Sequence, residues 1–222
     1  TGDEDLHWRV VPRAWKEQLT APIIHGRGVT GKVFYARLLC DPNVSVAVKV
    51  AACTWPVEEG RLMRRLVDGG APEVVHVHRY IRHPCEPTEV LIMEFGKYTL
   101  ADVVGGDSKV PDALRTRAAR LRFFFDVLTG AGKIHRQGVL HRDLALRNIL
   151  VVCTTNAPLD ECRAKILDFG LACDYLGKGP HCVNDRALNY LTCGPEVMIA
   201  RMTGEPPLRF LPSFDSWSLG LL

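Results

Sequence analysis

Two short stretches gather polar side chains between apolar neighbours in a pattern that could hold a reaction. His141-Arg142-Asp143-Leu144-Ala145-Leu146-Arg147-Asn148 follows Gly138-Val139-Leu140 and precedes the apolar run Ile149 to Val152. Eight residues with five polar groups, set between apolar segments, predict a polar loop on a buried support. Twenty residues after Asn148, a second apolar strand, Ala164 to Leu167, ends in Asp168-Phe169-Gly170. The two strands thus deliver carboxylate and amide oxygens to one place, the ligand type that a hard cation such as magnesium takes. Taken singly, the second motif is also an ordinary turn after a strand, and Asp143 an ordinary cap.

Upstream, Gly26-Arg27-Gly28-Val29-Thr30-Gly31 fits G-x-G-x-x-G. In a dinucleotide fold the third glycine opens a helix. Here Lys32-Val33-Phe34-Tyr35-Ala36 continues as strand, so the glycines belong to a hairpin. The stretch also misses the P-loop, because Val33 stands where that motif needs Ser or Thr. A glycine hairpin can still cover phosphates, since backbone amides without Cβ atoms approach charged oxygens closely. Val33 would then pack beneath a nucleotide base.

Ala47-Val48-Lys49-Val50 puts a lysine inside an apolar strand, where its ammonium needs a counter-ion. Glu58 and Glu59 both open the following helix; Glu59 is favoured because Leu62-Met63 and Leu66 follow it at helical spacing. The alternative is a lysine snorkelling to water from a strand edge. Phosphoryl transfer from ATP needs oxygen ligands for magnesium, cations on the phosphates and a carboxylate that positions the attacking hydroxyl. All of these are present.

Positioning them requires a small sheet and a helical layer. Residues 23 to 53 predict three antiparallel strands around Asp41-Pro42-Asn43. Val57 to Leu66 predicts a helix stopped by Asp68-Gly69-Gly70, and Val74 to Tyr80 and Glu89 to Phe95 predict two more strands. Beyond a linker with Gly105, Gly106 and Pro111, Ala113 to Gln137 has helical periodicity, and Ser213 to Leu222 begins an apolar helix. The expected domain order is a flank at 1–21, a strand-rich lobe at 22–96 and a helix-rich lobe at 97–222.

At 222 residues and 47% hydrophobic composition the chain can bury one sizeable core or two small ones. A net charge of +3 is too small to imply nucleic acid or a membrane surface. Arg115, Arg117, Arg120 and Arg122 read as a solvated helix face. No apolar run reaches the roughly 20 residues that span a bilayer. A cytoplasmic setting is the default expectation. The eight cysteines show no C-x-x-C pair and are expected to be free thiols; Cys153 and Cys162 bracket a polar loop and are the one pair that could bridge. Trp8 and Trp15 either pack on the first lobe or belong to a link to another domain.

Taken together, the segments resemble the signature set of eukaryotic-type protein kinases, in that family's order across residues 23 to 220. The resemblance implies a bilobal α+β fold, with a small antiparallel-sheet N-lobe and a mainly helical C-lobe cut short in the helix that starts near Asp215. It implies that Gly26, Gly28 and Gly31 cover the ATP phosphates, that Lys49 holds them and pairs with Glu59, and that Asp143 is the catalytic base. Asn148 and Asp168 match the magnesium ligands. Met93, ahead of Glu94-Phe95-Gly96, matches the gatekeeper before the hinge that binds adenine. Val33, Ala47 and Leu150 would sandwich the base, and Met63, Val77, His141 and Phe169 fall where the family stacks a regulatory column. Asp215 matches the acidic anchor of the catalytic loop.

Ala145 two residues after the base and Arg147 four after it resemble the catalytic loop of tyrosine kinases and tyrosine-kinase-like enzymes. Gly194-Pro195-Glu196 stands where the family usually has Ala-Pro-Glu, so the acceptor, Tyr or Ser/Thr, stays open. Arg142 could bind a phosphate on the activation segment, for which Tyr175, Tyr190 and Thr192 are the candidate carriers. The expected function is transfer of the γ-phosphate of magnesium-bound ATP to a protein substrate. The alternative is an inactive pseudokinase or fragment that serves as an ATP-binding scaffold.

Overall fold

The computed structural model describes residues 8–27, 31–52, 58–82, 88–154, 158–176, 194–203 and 212–222. The chain divides into two compact units, Thr1–Arg64 with Val75–Phe95, and Arg65–Val74 with Gly96–Leu222.

The first unit is a five-stranded antiparallel sheet in the order β1-β2-β3-β5-β4, formed by β1 (Ile23–Arg27), β2 (Gly31–Arg37), β3 (Ser45–Ala52), β4 (Val77–Arg82) and β5 (Thr88–Glu94). Its strands alternate because each face is claimed separately. Phe34, Ala36, Val46, Val48, Val50, Val90 and Ile92 form one buried face. The N-terminal segment covers that face: Val11 and Leu19 are buried in it, Trp8 and Trp15 pack against it, and Trp8 meets Phe34 edge-on at 5.3 Å. Of the two roles left open for these tryptophans, packing on the sheet is the observed one. A four-residue helix, α1 (Arg13–Lys16), lies within this cover. The turn joining β2 to β3 closes as the sequence suggests, with the Asn43 amide donating to Asp41 Oδ1 at 3.1 Å.

The opposite face carries Ala47, Lys49, Leu91 and Met93 in register, Lys49 opposite Leu91 and Ala47 opposite Met93. The helix α2 (Glu59–Asp68) follows β3, and Gly70 at φ 93° ends its run in the left-handed conformation glycine tolerates. β4 begins three residues later than the apolar pattern implies. Val74 is used elsewhere, in a parallel bridge to Ile166 within the second unit.

The second unit opens with β6 (Tyr98–Thr99) and α3 (Leu100–Gly105). This helix was not among the expected elements, although its start is legible: Thr99 accepts from the Asp102 amide while the Asp102 carboxylate accepts from the Thr99 amide, a reciprocal cap. The single helix expected over Ala113 to Gln137 is two, α4 (Asp112–Arg115) and α5 (Arg117–Arg136). Thr116 leaves helical geometry at ψ 151° and caps α5 through its hydroxyl. After α5 come β7 (Val139–Leu140), β8 (Ile149–Val152), β9 (Arg163–Ile166), β10 (Cys173–Asp174), α6 (Pro195–Thr203) and α7 (Ser213–Gly220). Phe123, Leu114, Ile134, Leu140, Leu144, Ile149, Phe169 and Phe214 fill this unit's interior.

The cysteine expectation needs correcting. Cys153 and Cys162 form a disulfide, because antiparallel pairing of β8 with β9 brings their ends together at a Cα separation of 4.3 Å. Cys173 is also disulfide-bonded, whereas Cys40 is free and exposed. No helix among the described residues is long and apolar enough to cross a membrane.

Candidate active site

In the first unit the sheet presents one buried cation to one helix. Lys49 Nζ lies 3.0 and 2.8 Å from the two carboxylate oxygens of Glu59, and both residues are less than a tenth exposed. Glu58, its neighbour, points to the opposite charges at the surface, 2.8 Å from Arg82 and 3.4 Å from Arg61. Helical geometry separates the two carboxylates by about 100° around the axis, so only one can face the sheet. An intramolecular pair this dry is weak evidence for stability, but deleting either partner leaves a buried charge and costs about 3–5 kcal/mol.

Gly31 sits where the hairpin returns toward β3. A Cβ there would lie 2.2 Å from the Val50 carbonyl oxygen, so no larger residue fits without moving the strand. Gly26 falls in β1, paired with Val33 after a bulge, and Gly28 lies outside the described residues. Val33 is opposite Lys49 on the neighbouring strand. Ala47 and Met93 are buried partners across β3 and β5, and the Glu94 carboxylate accepts the His76 amide at 2.5 Å at the end of β5.

In the second unit the start of the polar loop is held through its backbone amides. Asp215, fully buried near the start of α7, accepts the amides of His141 and Arg142, each at 2.8 Å, and His135 Nε2 at 2.8 Å. His135, from the last turn of α5, was not singled out in the sequence. It sits on a helix whose interior face looks like plain core, and only the fold shows its acidic partner. His141 donates through Nε2 to the Leu167 carbonyl at 3.0 Å and accepts the Asp143 amide at Nδ1 at 3.2 Å, which settles its neutral tautomer. Its ring meets Phe169 edge-on at 4.7 Å. Met63 and Val77, the other members of the expected column, are buried in the first unit.

Asp143 is gripped on its carboxylate from two sides. Arg147 donates to its two oxygens at 2.7 and 2.9 Å, and the Asn148 amide nitrogen donates to Oδ2 and to the Asp143 carbonyl, both at 2.8 Å. These bonds fix the carboxylate's direction before any substrate arrives. The Asn148 carbonyl in turn accepts the Leu167 amide at 3.0 Å, which ties the loop to the residue before Asp168. Leu150, on β8 of this unit, pairs with Thr99 and Lys165.

Only two described non-glycine residues have positive φ, Arg142 at 67° and Asp168 at 65°. Each costs on the order of 1 kcal/mol and persists where surrounding contacts impose it. Both flank the candidate chemistry. Arg142 is clamped by its amide to Asp215 and by Nε to the Leu171 carbonyl at 2.6 Å. The donor set fits magnesium: with the Asn148 nitrogen committed to Asp143, its amide oxygen is left as a neutral hard donor beside the Asp168 carboxylate motif. Among the described residues no group of three His, Cys, Asp or Glu side chains could hold a metal ion by itself, so water and phosphate oxygens would complete such a shell.

Tyr175 donates its hydroxyl to the His135 carbonyl at 2.8 Å, so modification there would have to break that bond. Tyr190 and Thr192 lie outside the described residues, as does the Glu196 side chain.

Fold and site together define a eukaryotic-type protein kinase catalytic domain. The family model for the protein kinase domain matches residues 23–222, and the chain belongs to that family. It is 29% identical over 209 residues to a CBL-interacting protein kinase 16 of Oryza sativa subsp. japonica, covering 89% of this chain and 40% of that protein. It is 32% identical over 134 residues to the human NUAK family SNF1-like kinase 1, covering 60% of this chain and 17% of the relative. A CBL-interacting serine/threonine-protein kinase 8 of Arabidopsis thaliana is 27% identical over 169 residues, 73% of this chain and 34% of that one. The chain thus spans about 40% of the length of the first of these relatives. One of them is named a serine/threonine-protein kinase, in contrast to the tyrosine-kinase-like reading of Ala145 and Arg147. The Arg147 guanidinium grips Asp143 itself, a role that does not depend on which hydroxyl accepts the phosphate.

Proposed function

We propose that this domain transfers the γ-phosphoryl group of magnesium-bound ATP to a serine or threonine hydroxyl of a protein. The observation that carries the reading is the Asp143 carboxylate, held by Arg147 and Asn148 on a loop anchored by Asp215. Positioned this way, Asp143 accepts a hydrogen bond from the attacking hydroxyl and takes its proton as the new P–O bond forms and the bond from the γ-phosphorus to the β–γ bridging oxygen breaks, releasing ADP. Asn148 and Asp168 would hold the magnesium, which when bound neutralises charge on the phosphate oxygens. Lys49, oriented by Glu59, would hold the α- and β-phosphates, and the glycine hairpin would lie over them. Serine or threonine as acceptor is supported by the printed name of one relative. None of the residues assigned to the chemistry is replaced, which favours catalysis over a scaffold role.

The test is transfer of label from γ-labelled ATP and magnesium to generic protein acceptors, with phosphoamino-acid analysis of the product. Asp143→Asn should reduce transfer about 10²- to 10⁴-fold while leaving nucleotide affinity nearly unchanged, because the base touches the acceptor. Equal activity in the mutant removes Asp143 from the chemistry, and label on tyrosine overturns the acceptor.

A further inference from the structure

Behind the Lys49–Glu59 pair stands a third acidic residue that the mechanism does not use. Glu89, on β5, is 4% exposed, and its Oε2 is buried without a hydrogen-bond partner. Register places it on the same face as the pair: Lys49 is opposite Leu91 and Ala51 opposite Glu89, so Glu89 and Lys49 are diagonal neighbours. On its other side Glu89 is opposite Arg82 of β4.

The charged groups around it are already engaged with other partners. From β3 comes Lys49, bound to Glu59 of α2; from β4 comes Arg82, bound to Glu58, which Arg61 also reaches. Tyr80 of β4 packs its ring against Gly60 of α2. Glu59 holds Lys49 and Glu58 holds Arg82 and Arg61, while Glu89 has a buried oxygen that no donor meets. Burial, with the nearby Glu59 charge, pushes its carboxyl up to about 7. At neutral pH it is poised between forms.

We propose that Glu89 is a positioning residue for Lys49: while neutral it leaves the ammonium to Glu59, and once ionised it competes for Lys49 and repels Glu59, weakening the pair and the grip on ATP. This rests on the proposed function for its consequence, but not for the charge competition itself. The sign follows from the direction of the shift. A carboxyl raised in the folded state supports folding below its ordinary value of 4.5, and that support is lost as pH rises through about 7. The pair is thus firmest on the acid side.

Two measurements from pH 6 to 8 separate the ideas, on wild type, Glu89→Gln and Glu89→Leu. The first is affinity for a fluorescent ATP analogue with magnesium. The second is hydrogen exchange of residues 59–68, corrected for the intrinsic pH dependence of exchange. We expect wild-type affinity to weaken several-fold and α2 protection to fall as pH rises, while both neutral variants keep the acid-side values throughout. Variants that track wild type in exchange overturn the proposal. A wild-type exchange profile that is flat across this range overturns it whatever the variants do. Exchange behaving as expected with no nucleotide bound at any pH would retain the Glu89 role and sink the kinase reading instead.

Discussion

The two units hold their carboxylates by different means. In the second, Asp215 is saturated by two backbone amides and an imidazole, and Asp143 by a guanidinium and a side-chain amide. In the first, Glu59 is paired with the Lys49 ammonium, and Glu89 stands nearby with an oxygen unbonded. The donors that meet Asp215 are main-chain amides and both of its carboxylate oxygens are used, so the start of the second unit's loop is fixed by several bonds at once. A pair between two side chains can be pulled apart by a competing charge, so the first unit's cation can be retuned. The difference teaches where rigidity and adjustment sit: the carboxylate proposed to take the proton has two donors on it and sits on a loop tied to Asp215 through its main chain, whereas the ammonium proposed to hold phosphates has a competing carboxylate beside its pair.

That contrast can be broken most severely at Asp215. Asp215→Ala strands the His141 and Arg142 amides inside the unit, at about 1–3 kcal/mol each. Stability by denaturant titration should fall by on the order of 3 kcal/mol, and transfer should be lost with it. Near-normal activity would mean that the loop holds itself. Lys49→Met breaks the other side. It leaves Glu59 buried without its cation and removes the phosphate contact, so turnover should drop about a hundredfold or more while the second unit's loop stays ordered. Adding Glu59→Leu to that change should restore stability without restoring turnover, which sharpens the distinction between a structural pair and a working one. The smallest effect is expected at the β8–β9 hairpin. Cys153→Ser opens a short loop and should cost about 2–3 kcal/mol in non-reducing buffer and little in reducing buffer, as read from the denaturation midpoint.

Much of the site is legible in residue order because its chemistry is concentrated in contiguous motifs. Asp143, Arg147 and Asn148 fall within six residues, and a loop that short can only bring them together. Glu59 was separable from Glu58 for the same local reason, since helical phase decides which carboxylate faces the apolar side. The partners that arrive from far along the chain were not legible. His135 finds Asp215 across 80 residues, and Val74 leaves the expected strand to bridge Ile166. The α3 helix was missed although Thr99 and Asp102 spell its cap, because six residues are too few to show a period.

By itself, then, the sequence determined the α+β class, the order of the elements and the identity of the candidate catalytic groups, since these depend on local periodicity and on side-chain chemistry. Only the tertiary structure decided that Cys153 is oxidised with Cys162, that the N-terminal tryptophans cover the sheet, and that Glu89 is buried beside a pair already formed. Each of those depends on which surfaces exclude water. Strand register sets that, and no single stretch of residues contains it.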